Sequence, residues 1–251
     1  MRSLAVVLVA LAGASGASAA RSLHPFPRFT TPGCMRADFT SRRAPVRAEL
    51  CRARRDPGGR AVVILHGCGG FDTFDHRLAA DLPADGITTL YVQYFDPTPP
   101  PPGGKGFCGG RGFGPDPFPI WQRVVVDAAA ALRRTPGVDP HAVGLVGWSL
   151  GAGLALGVAE SSPHTFDALA AFSAGAFGEV LADAGRLPPS LFLVGTRDAF
   201  PVSDAVALRD AARSAHVPTA LYVYPRGTHN WPRAQGTAGI ARAAQFLRRY
   251  L

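Results

Sequence analysis

Residues 142–155 read AVGLVGWSLGAGLA, and this stretch decides the fold. It begins as an apolar strand pattern, reaches Ser149 between Gly147 and Gly151, and continues as small and apolar residues in a helical pattern. A G-x-S-x-G motif in this context marks a sharp strand-to-helix turn that exposes the serine hydroxyl at the end of a sheet. Glycines flank the serine because a Cβ there would collide with neighbouring chain, and the helix N-terminus adds positive partial charge nearby. The motif indicates a nucleophile; the alternative is a serine that only caps the helix.

Apolar runs typical of strands buried on both faces recur along the chain. They cover 61–65, 87–91, 142–146, 169–172, 190–194 and 220–224. Helical patterns lie between them, at 120–134, 150–160, 203–215 and 237–251. Strands that alternate with helices predict an α/β fold with a mostly parallel sheet and helices on both faces. The chain has no internal repeat and no obvious linker, so we predict one domain over residues 20–251.

A serine hydroxyl attacks only when a base removes its proton, and a carboxylate must orient that base. In this architecture the serine is followed by an acid and then by a histidine, each after a later strand. Asp198 and His229 follow the last two predicted strands, so the sequence predicts a triad of Ser149, Asp198 and His229. The competing acids are Asp183, Asp204 and Glu179, and the competing histidines are His164 and His216.

A glycine-rich loop, HGCGG at 66–70, follows the first apolar strand pattern directly. Such a loop supplies a backbone amide to the oxyanion in enzymes with this serine motif. We expect the amide of Cys68, or that of Gly69, to act together with the amide of Leu150. His66 is interpreted as structural, with its ring bonded to the loop backbone. The alternative for the whole loop is a tight turn without a chemical role.

The chain has four cysteines, and an even number in an exported protein suggests disulfides. Cys34 and Cys51 flank a segment that reads as a hairpin turning at residues 42–43. Positions placed symmetrically about that turn face one another, so we predict a Cys34–Cys51 bond. Cys68–Cys108 follows by elimination. The alternative is four free, buried thiols.

Residues 96–119 are rich in proline and glycine, which excludes an ordinary helix or strand. A loop of this length in a compact domain is usually functional or disordered. It is interpreted either as the rim of a substrate pocket or as a surface excursion. Trp148, Tyr94 and Phe95 are candidates for lining the pocket, and packing without contact to substrate is the alternative for each.

The first 19 residues, MRSLAVVLVALAGASGASA, have the features of a secretory signal peptide. An arginine precedes a short apolar run, and Ala17-Ser18-Ala19 fits the A-x-A pattern that signal peptidase cleaves. The run is too short to span a bilayer, which needs about 20 residues. No later stretch is long and apolar enough to do so. We therefore expect a secreted or periplasmic protein with no membrane span in its mature form; the alternatives are a membrane anchor or an apolar N-terminus without a targeting role.

The formal net charge is +8, which raises the question of an anionic partner. The arginines are scattered and are not interleaved with aromatic residues in one segment. This pattern favours a solvated surface, and we predict no nucleic-acid partner. No cysteine or histidine spacing typical of zinc occurs, so no metal site is predicted. The oligomeric state is left open.

Five segments together resemble the α/β-hydrolase superfamily, and within it the dienelactone hydrolase family. They are AVVILHGCGG at 61–70, YVQYFDPT at 91–98, GWSLGA at 147–152, LVGTRDAFP at 193–201 and VYPRGTHNW at 223–231. The resemblance implies an eight-stranded sheet whose first antiparallel strands come from the hairpin between Cys34 and Cys51. It also implies hydrolysis of carboxylic esters or lactones without a cofactor.

The chain departs from the family at the nucleophile. The namesake enzymes carry cysteine at the position of Ser149, and serine favours ordinary ester hydrolysis over dienelactone cleavage. The GWS motif and the export signal also resemble secreted polyester hydrolases of the cutinase group. An acyltransferase, an amidase or peptidase, and a hydrolase-fold binding protein with little turnover are the remaining alternatives.

Overall fold

The apolar runs of the sequence form the middle of an eight-stranded sheet in a computed structural model of the protein. The structure describes residues 31–54, 58–71, 73–98, 108, 117–175 and 181–251. In spatial order, the strands are β1 (Met35–Arg36), β4 (Ala48–Cys51), β6 (Thr88–Val92), β5 (Ala61–Leu65), β7 (Val143–Trp148), β8 (Leu169–Phe172), β9 (Ser190–Arg197) and β10 (Thr219–Thr228). From β6 to β10 neighbouring strands are parallel, whereas β1 and β4 are antiparallel to their neighbours. A separate two-stranded sheet pairs β2 (Phe39–Ser41) with β3 (Ala44–Val46).

Helices cover both faces of the main sheet. Their bounds are α1 (Thr73–Asp81), α2 (Phe118–Arg133), α3 (Leu150–Ser161), α4 (Val202–Ser214) and α5 (Arg233–Tyr250). Side chains of α2, α3 and α4 join one buried apolar cluster, and those of α1 and α5 join a second. Val63 of β5 belongs to the first cluster and Val62 to the second, so the strand is continuously apolar because both of its faces are covered. None of the helices in the described ranges is long and apolar enough to cross a bilayer.

The predicted architecture is confirmed: the sheet is mostly parallel, helices cover both faces, and antiparallel strands lie at the N-terminal edge. The six predicted strands and four predicted helices end within four residues of their expected bounds. The prediction missed α1, because its mainly polar sequence, TFDHRLAAD, buries only Phe74, Leu78 and Ala79 as apolar side chains. The predicted signal peptide at 1–19 lies outside the described residues, and the domain bounds 20–251 stay a prediction.

The N-terminal hairpin is divided between the two sheets. Its turn lies at residues 42–43, whose φ angles of 44° and 71° fit a two-residue turn of type I′. The strands next to the turn form the small sheet, while β1 and β4 join the main sheet with Met35 opposite Leu50. The same register places Cys34 beside Cys51, and these two residues form a disulfide. The predicted pairing thus follows from the hairpin, although the hairpin extends over two sheets.

A buried ion pair fastens the start of β4 to the loop that follows β6. Arg47 donates from Nη2 to Asp96 Oδ1 at 2.7 Å and from Nε to Oδ2 at 3.0 Å. Its backbone N–H donates to the same Oδ2 at 2.8 Å. The side chain of Asp96 is fully buried, and that of Arg47 is 19% exposed. Because Gln93 N also donates to Arg47 O, the loop over 93–98 is fixed against the residue that precedes β4.

Replacing Arg47 with methionine leaves the Asp96 carboxylate buried without its cation. We expect R47M to lower the free energy of unfolding by about 3 kcal/mol, because an unpaired buried charge is costly. Urea denaturation at pH 7 measures the change. The matched control is R248M, which removes an ion pair with Asp85 whose side chains are 39% and 41% exposed. That variant should lose less than about 1 kcal/mol, and equal losses from both variants would contradict the prediction.

Candidate active site

The parallel sheet brings the three predicted site residues to one edge. Ser149 follows β7, Asp198 follows β9 and His229 follows β10 without an intervening residue. The strands β7, β8, β9 and β10 are consecutive neighbours and run in the same direction. Ligand sites of such sheets lie outside the carboxyl ends of the strands. The three side chains therefore meet where the architecture favours a binding crevice.

Ser149 lies in a strained turn between β7 and α3. Its φ of 55° and ψ of −119° are unusual for a residue with a side chain, and such conformations cost roughly 1–3 kcal/mol. The turn is closed by contact between backbones: a Cβ on Gly147 would lie 2.3 Å from Gly151 O. A Cβ on Gly151 would lie 2.5 Å from the carbonyl oxygens of both Leu65 and His66. The two glycines of the motif are thus required by the approach of three backbone segments.

The side chains of Ser149, His229 and Asp198 form a line of hydrogen bonds. Ser149 Oγ lies 2.9 Å from His229 Nε2, and His229 Nδ1 lies 2.7 Å from Asp198 Oδ1. An ionised carboxylate can only accept, so Nδ1–H donates to Asp198 and a neutral ring leaves Nε2 to accept the serine proton. Ser149 is 8% exposed and the imidazole of His229 is 24% exposed, whereas the Asp198 side chain is fully buried. Ser149 and His229 thus keep some contact with solvent, whereas the Asp198 side chain has none.

The Asp198 carboxylate stays ionised although it is buried. Burial alone would raise its pKa, but hydrogen bonds from His229, Ser173 and the backbone N–H of Phe200 outweigh burial and lower the pKa below its usual value. Phe200 N donates to Oδ1 at 3.2 Å, and Ser173 Oγ donates to Oδ2 at 2.5 Å. A carboxylate held as an anion at neutral pH can orient and stabilise an imidazolium.

The ends of β9 and β10 approach closely beneath Asp198 and His229. A Cβ on Gly195 would lie 2.2 Å from Gly227 O, so a side chain at position 195 would collide with the backbone of β10. Beyond this point the register of β10 shifts, and Thr228 pairs with Arg197. Thr228 N donates to Gln235 Oε1 at 2.9 Å, and Gln235 Nε2 donates to Thr228 O at 3.1 Å, which ties the strand end to α5. The irregular strand delivers His229 beside Asp198.

His66 has the structural role that the sequence indicates. Its ring is fully buried, with Nδ1 2.8 Å from Gly67 O and Nε2 2.5 Å from Gln93 Oε1. Burial is the main cause that lowers the pKa of His66 to about 4, so the ring is neutral at pH 7. Tyr94 stacks on the ring at a centroid distance of 4.1 Å, and its hydroxyl donates to His66 O at 2.8 Å. These contacts fix the start of the glycine-rich loop.

The three pocket candidates have different positions. Tyr94 and Phe95 are fully buried around His66, so the structure favours packing over pocket lining for both. Trp148 is 7% exposed, and its Nε1 donates to His229 O at 3.0 Å. Its ring centroid lies 5.5 Å from that of His229. Trp148 therefore holds the histidine loop, while its contact with an acyl group stays a prediction.

The second disulfide joins the glycine-rich loop to the proline-rich segment. Cys68 bonds to Cys108, and the described part of the segment beyond residue 98 and before residue 117 consists of Cys108, which is exposed. Gly70 N donates to Gly67 O at 3.1 Å, so the loop is also closed by its own backbone. Two of the predicted oxyanion amides, those of Cys68 and Gly69, belong to this loop. The third, that of Leu150, follows Ser149 directly along the chain. Of the predicted pocket rim at 96–119, residues 99–107 and 109–116 lie outside the described residues.

Neither hydrogen bond described for the His229 ring involves one of the competing acids or histidines. His164 and His216 are exposed and have positive φ angles of 64° and 61°. Asp183 precedes a short 3₁₀ turn, and Asp204 lies in the first turn of α4. Glu179 lies outside the described residues. The hydrogen bonds described for the His229 ring involve Ser149 and Asp198 instead.

Sequence reasoning missed Ser173 and assigned no role to Trp231. Ser173 directly follows β8, the strand between those that carry Ser149 and Asp198. The same rule that identified Asp198, a polar residue just past a parallel strand, applies to Ser173. Trp231 lies two residues beyond His229, and its Nε1 donates to Ser173 Oγ at 2.8 Å.

The sheet and its serine turn define an α/β-hydrolase. A sequence model of the dienelactone hydrolase family matches residues 120–248, just over half of the chain. The chain therefore belongs to the dienelactone hydrolase family, as its motifs predict, and is a hydrolase of that family. No curated protein matches the sequence.

Solved structures share the fold. A dienelactone hydrolase from Anabaena variabilis ATCC 29413 has a TM-score of 0.71 and 20% identity over 88% of this chain and 100% of its own. A dienelactone hydrolase-like promiscuous phosphotriesterase from metagenomic libraries has a TM-score of 0.68 and 18% identity over 86% and 98%. A fungal esterase from Rhizomucor miehei has a TM-score of 0.68 and 13% identity over 86% and 83%. At these identities the likeness establishes the fold, and the reaction has to be argued from the site.

The crowded turn at Ser149 predicts a sharp difference between two glycines of α3. G151A places a methyl group against two backbone oxygens, and we expect a loss of about 2 kcal/mol or more in unfolding free energy. G157A is the matched control, because its Cβ would meet only the end of the Gln122 side chain, at 3.0 Å. That variant should be neutral or gain up to about 1 kcal/mol from helix propensity. Thermal and urea unfolding compare the two, and an unaffected G151A would contradict the close approach.

Proposed function

We propose that the protein is an exported serine hydrolase that cleaves carboxylic esters or lactones through an acyl-enzyme. The line of hydrogen bonds from Ser149 Oγ through His229 to Asp198, with distances of 2.9 and 2.7 Å, carries this proposal. A serine hydroxyl is a weak nucleophile unless its proton is removed during attack. The position of His229 Nε2 supports serine in the role that cysteine has in the namesake enzymes of the family.

In the first half of the reaction, Ser149 Oγ attacks the ester carbonyl carbon while its proton moves to His229 Nε2. Asp198 holds the ring orientation and stabilises the imidazolium. The tetrahedral intermediate collapses, the bond to the alcohol oxygen breaks, and His229 gives its proton to the leaving alkoxide. The products of this half are an alcohol and an acyl group esterified to Ser149.

In the second half, water attacks the acyl carbon while its proton moves to His229 Nε2. The new intermediate collapses, the acyl–Oγ bond breaks, and Ser149 Oγ recovers the proton from His229. The acid product leaves and the starting protonation states return. A lactone follows the same steps, except that the alcohol stays attached to the acyl group.

The backbone amides of Leu150 and of Cys68 or Gly69 are proposed to bind the oxyanion. Leu150 is the first residue of α3, where backbone N–H groups have no partner in the preceding turn of helix. The loop with Cys68 follows β5, the strand next to β7, so both amides lie at the same edge of the sheet. Loss of one donor of this kind typically costs about 3–4 kcal/mol in transition-state stabilisation.

Export is supported by the signal-like N-terminus of the sequence and by the cysteines. The described residues contain two disulfides and no free cysteine. Disulfides persist in the periplasm and outside the cell, whereas cytosolic proteins keep their thiols reduced.

The first test of the function is hydrolysis of 4-nitrophenyl esters from acetate to dodecanoate. We expect S149A to lower kcat by roughly 10³-fold or more, because the covalent step is lost. The matched control is S161A at the end of α3, an exposed serine whose hydroxyl donates to Gly157 O. Its activity should equal that of the parent protein. A fluorophosphonate probe should label the parent protein and not S149A.

Other outcomes of this test favour the other interpretations of the sequence. Alkyl ester products that form on addition of alcohols would favour an acyltransferase, and release of soluble acids from a polyester film would favour a polymer substrate. A folded protein that neither hydrolyses the esters nor reacts with the probe would contradict the proposed function and favour a binding role.

The Cys68–Cys108 disulfide should support activity more than stability. We expect the C68S/C108S variant to lose about 10-fold in kcat, since the loop that carries the proposed amide donor is no longer tethered. The control is C34S/C51S, which removes the disulfide of the N-terminal hairpin and should lower the unfolding midpoint without a comparable loss of kcat. Equal kcat in the parent and C68S/C108S, with both folded, would remove the disulfide from the mechanism.

A further inference from the structure

Ser173 and Trp231 continue the line of hydrogen bonds beyond Asp198. Trp231 Nε1 lies 2.8 Å from Ser173 Oγ, and Ser173 Oγ lies 2.5 Å from Asp198 Oδ2. His229 Nδ1 binds the other carboxylate oxygen, Oδ1, at 2.7 Å. Five side chains from four strand ends thus form one chain of contacts that leads from the buried core to Ser149.

The chemistry of the groups fixes the direction of each hydrogen bond. An indole N–H can only donate and an ionised carboxylate can only accept. Ser173 Oγ therefore accepts from Trp231 and gives its single proton to Asp198 Oδ2. On the other side, His229 Nδ1–H donates to Oδ1 and Ser149 donates to Nε2. All donors in the chain point toward the Asp198 carboxylate.

Ser173 is held by its surroundings in a costly conformation. It is fully buried, its φ is 55°, and its backbone N–H donates to Leu193 O at 2.8 Å. A positive φ in a residue with a side chain persists only where the surrounding structure imposes it, and such strain is concentrated at functional sites. This conformation at the end of β8 directs the hydroxyl toward the end of β9.

Trp231 is equally constrained. Its side chain is 1% exposed, and its φ is 47°. The indole packs edge-on against Phe172 at a centroid distance of 5.0 Å and stacks with Phe74 at 5.5 Å. These rings fix the position of the indole and of its N–H. Because this N–H occupies one lone pair of Ser173 Oγ, it also sets the direction in which the Ser173 hydroxyl donates.

We propose that Ser173 and Trp231 are positioning residues that lock the Asp198 carboxylate in the orientation that the His229 ring requires. The inference rests on the proposed function and extends it to two residues that do not touch substrate. With a donor on each oxygen, the carboxylate resists rotation about its Cβ–Cγ bond. Oδ1 therefore stays in line with Nδ1–H while the imidazole gains and loses its proton.

The test uses S173G, because glycine adopts a φ of 55° without strain and removes only the hydroxymethyl group. We expect kcat for 4-nitrophenyl butyrate to fall about 10- to 100-fold, as for other supporting hydrogen bonds at active sites, with KM nearly unchanged. The carboxylate loses a donor, so its pKa rises toward the usual value. Protonation of Asp198 removes the anion that orients the His229 ring, so the acid limb of the kcat profile should move to higher pH.

W231F is the second variant, and it tests the outer member of the chain. The ring remains but the N–H is lost, so Ser173 keeps its proton and loses its fixed direction. We expect a smaller fall in kcat of about 3-fold with the same shift of the acid limb. The matched control is W121F, which removes another buried indole donor, the one to Thr98 Oγ1. That variant should change the unfolding midpoint without moving the pH profile.

The results separate the positioning role from the proposed function. An unchanged kcat and pH profile in folded S173G, while S149A abolishes activity, would overturn the positioning role and leave the proposed function standing. Activity that survives in S149A would overturn the proposed function itself. If S173G lowers kcat only in proportion to its folded fraction, with the acid limb unmoved, Ser173 is structural and the inference is wrong. If S173G fails to fold, an unmoved acid limb in W231F overturns the inference in the same way.

Discussion

The buried negative charge of Asp198 is the constraint on which the site depends. A carboxylate without solvent contact is costly unless hydrogen bonds compensate for its lost hydration. The protein meets this requirement with donors from three directions: the imidazole of His229, the hydroxyl of Ser173 and the backbone N–H of Phe200. Each donor comes from a different part of the sheet edge. The ends of β8, β9 and β10 must therefore meet, and the close approach of Gly195 and Gly227 lets them do so.

Much of this arrangement could be predicted from residue order. The apolar runs located the strands, because strands that are covered on both faces appear in the sequence as continuous apolar segments. The G-x-S-x-G motif located Ser149 because only glycine fits at Gly147 and Gly151, where backbone atoms leave no room for a Cβ. Asp198 and His229 followed from their places after later strands. The pairing of Cys34 with Cys51 followed from hairpin symmetry, a local relation of the same kind.

The features that could not be predicted depend on contacts between distant segments. Ser173 reaches Asp198 because β8 pairs with β9, and the indole of Trp231 reaches Ser173 over 58 positions of sequence. From the sequence, Tyr94 is equally suited to a pocket or to packing, and its stack on His66 favours packing. Helix α1 has too few apolar positions to give a recognisable helical pattern in the sequence. In each case the sequence gives the residue type, but it does not show which other residue that side chain contacts.

The two buried serines of the site share the same backbone conformation at the end of a strand. Ser149 and Ser173 follow adjacent parallel strands, and both have a φ of 55°. Ser149 N donates to Phe172 O at the end of β8, and Ser173 N donates to Leu193 O in β9. Each turn is thus held by the next strand while its hydroxyl is directed over the sheet edge. Because the neighbouring strands hold both turns, the two serines keep a strained backbone conformation at this edge of the sheet. The same geometry directs the Ser149 hydroxyl to His229 and the Ser173 hydroxyl to Asp198.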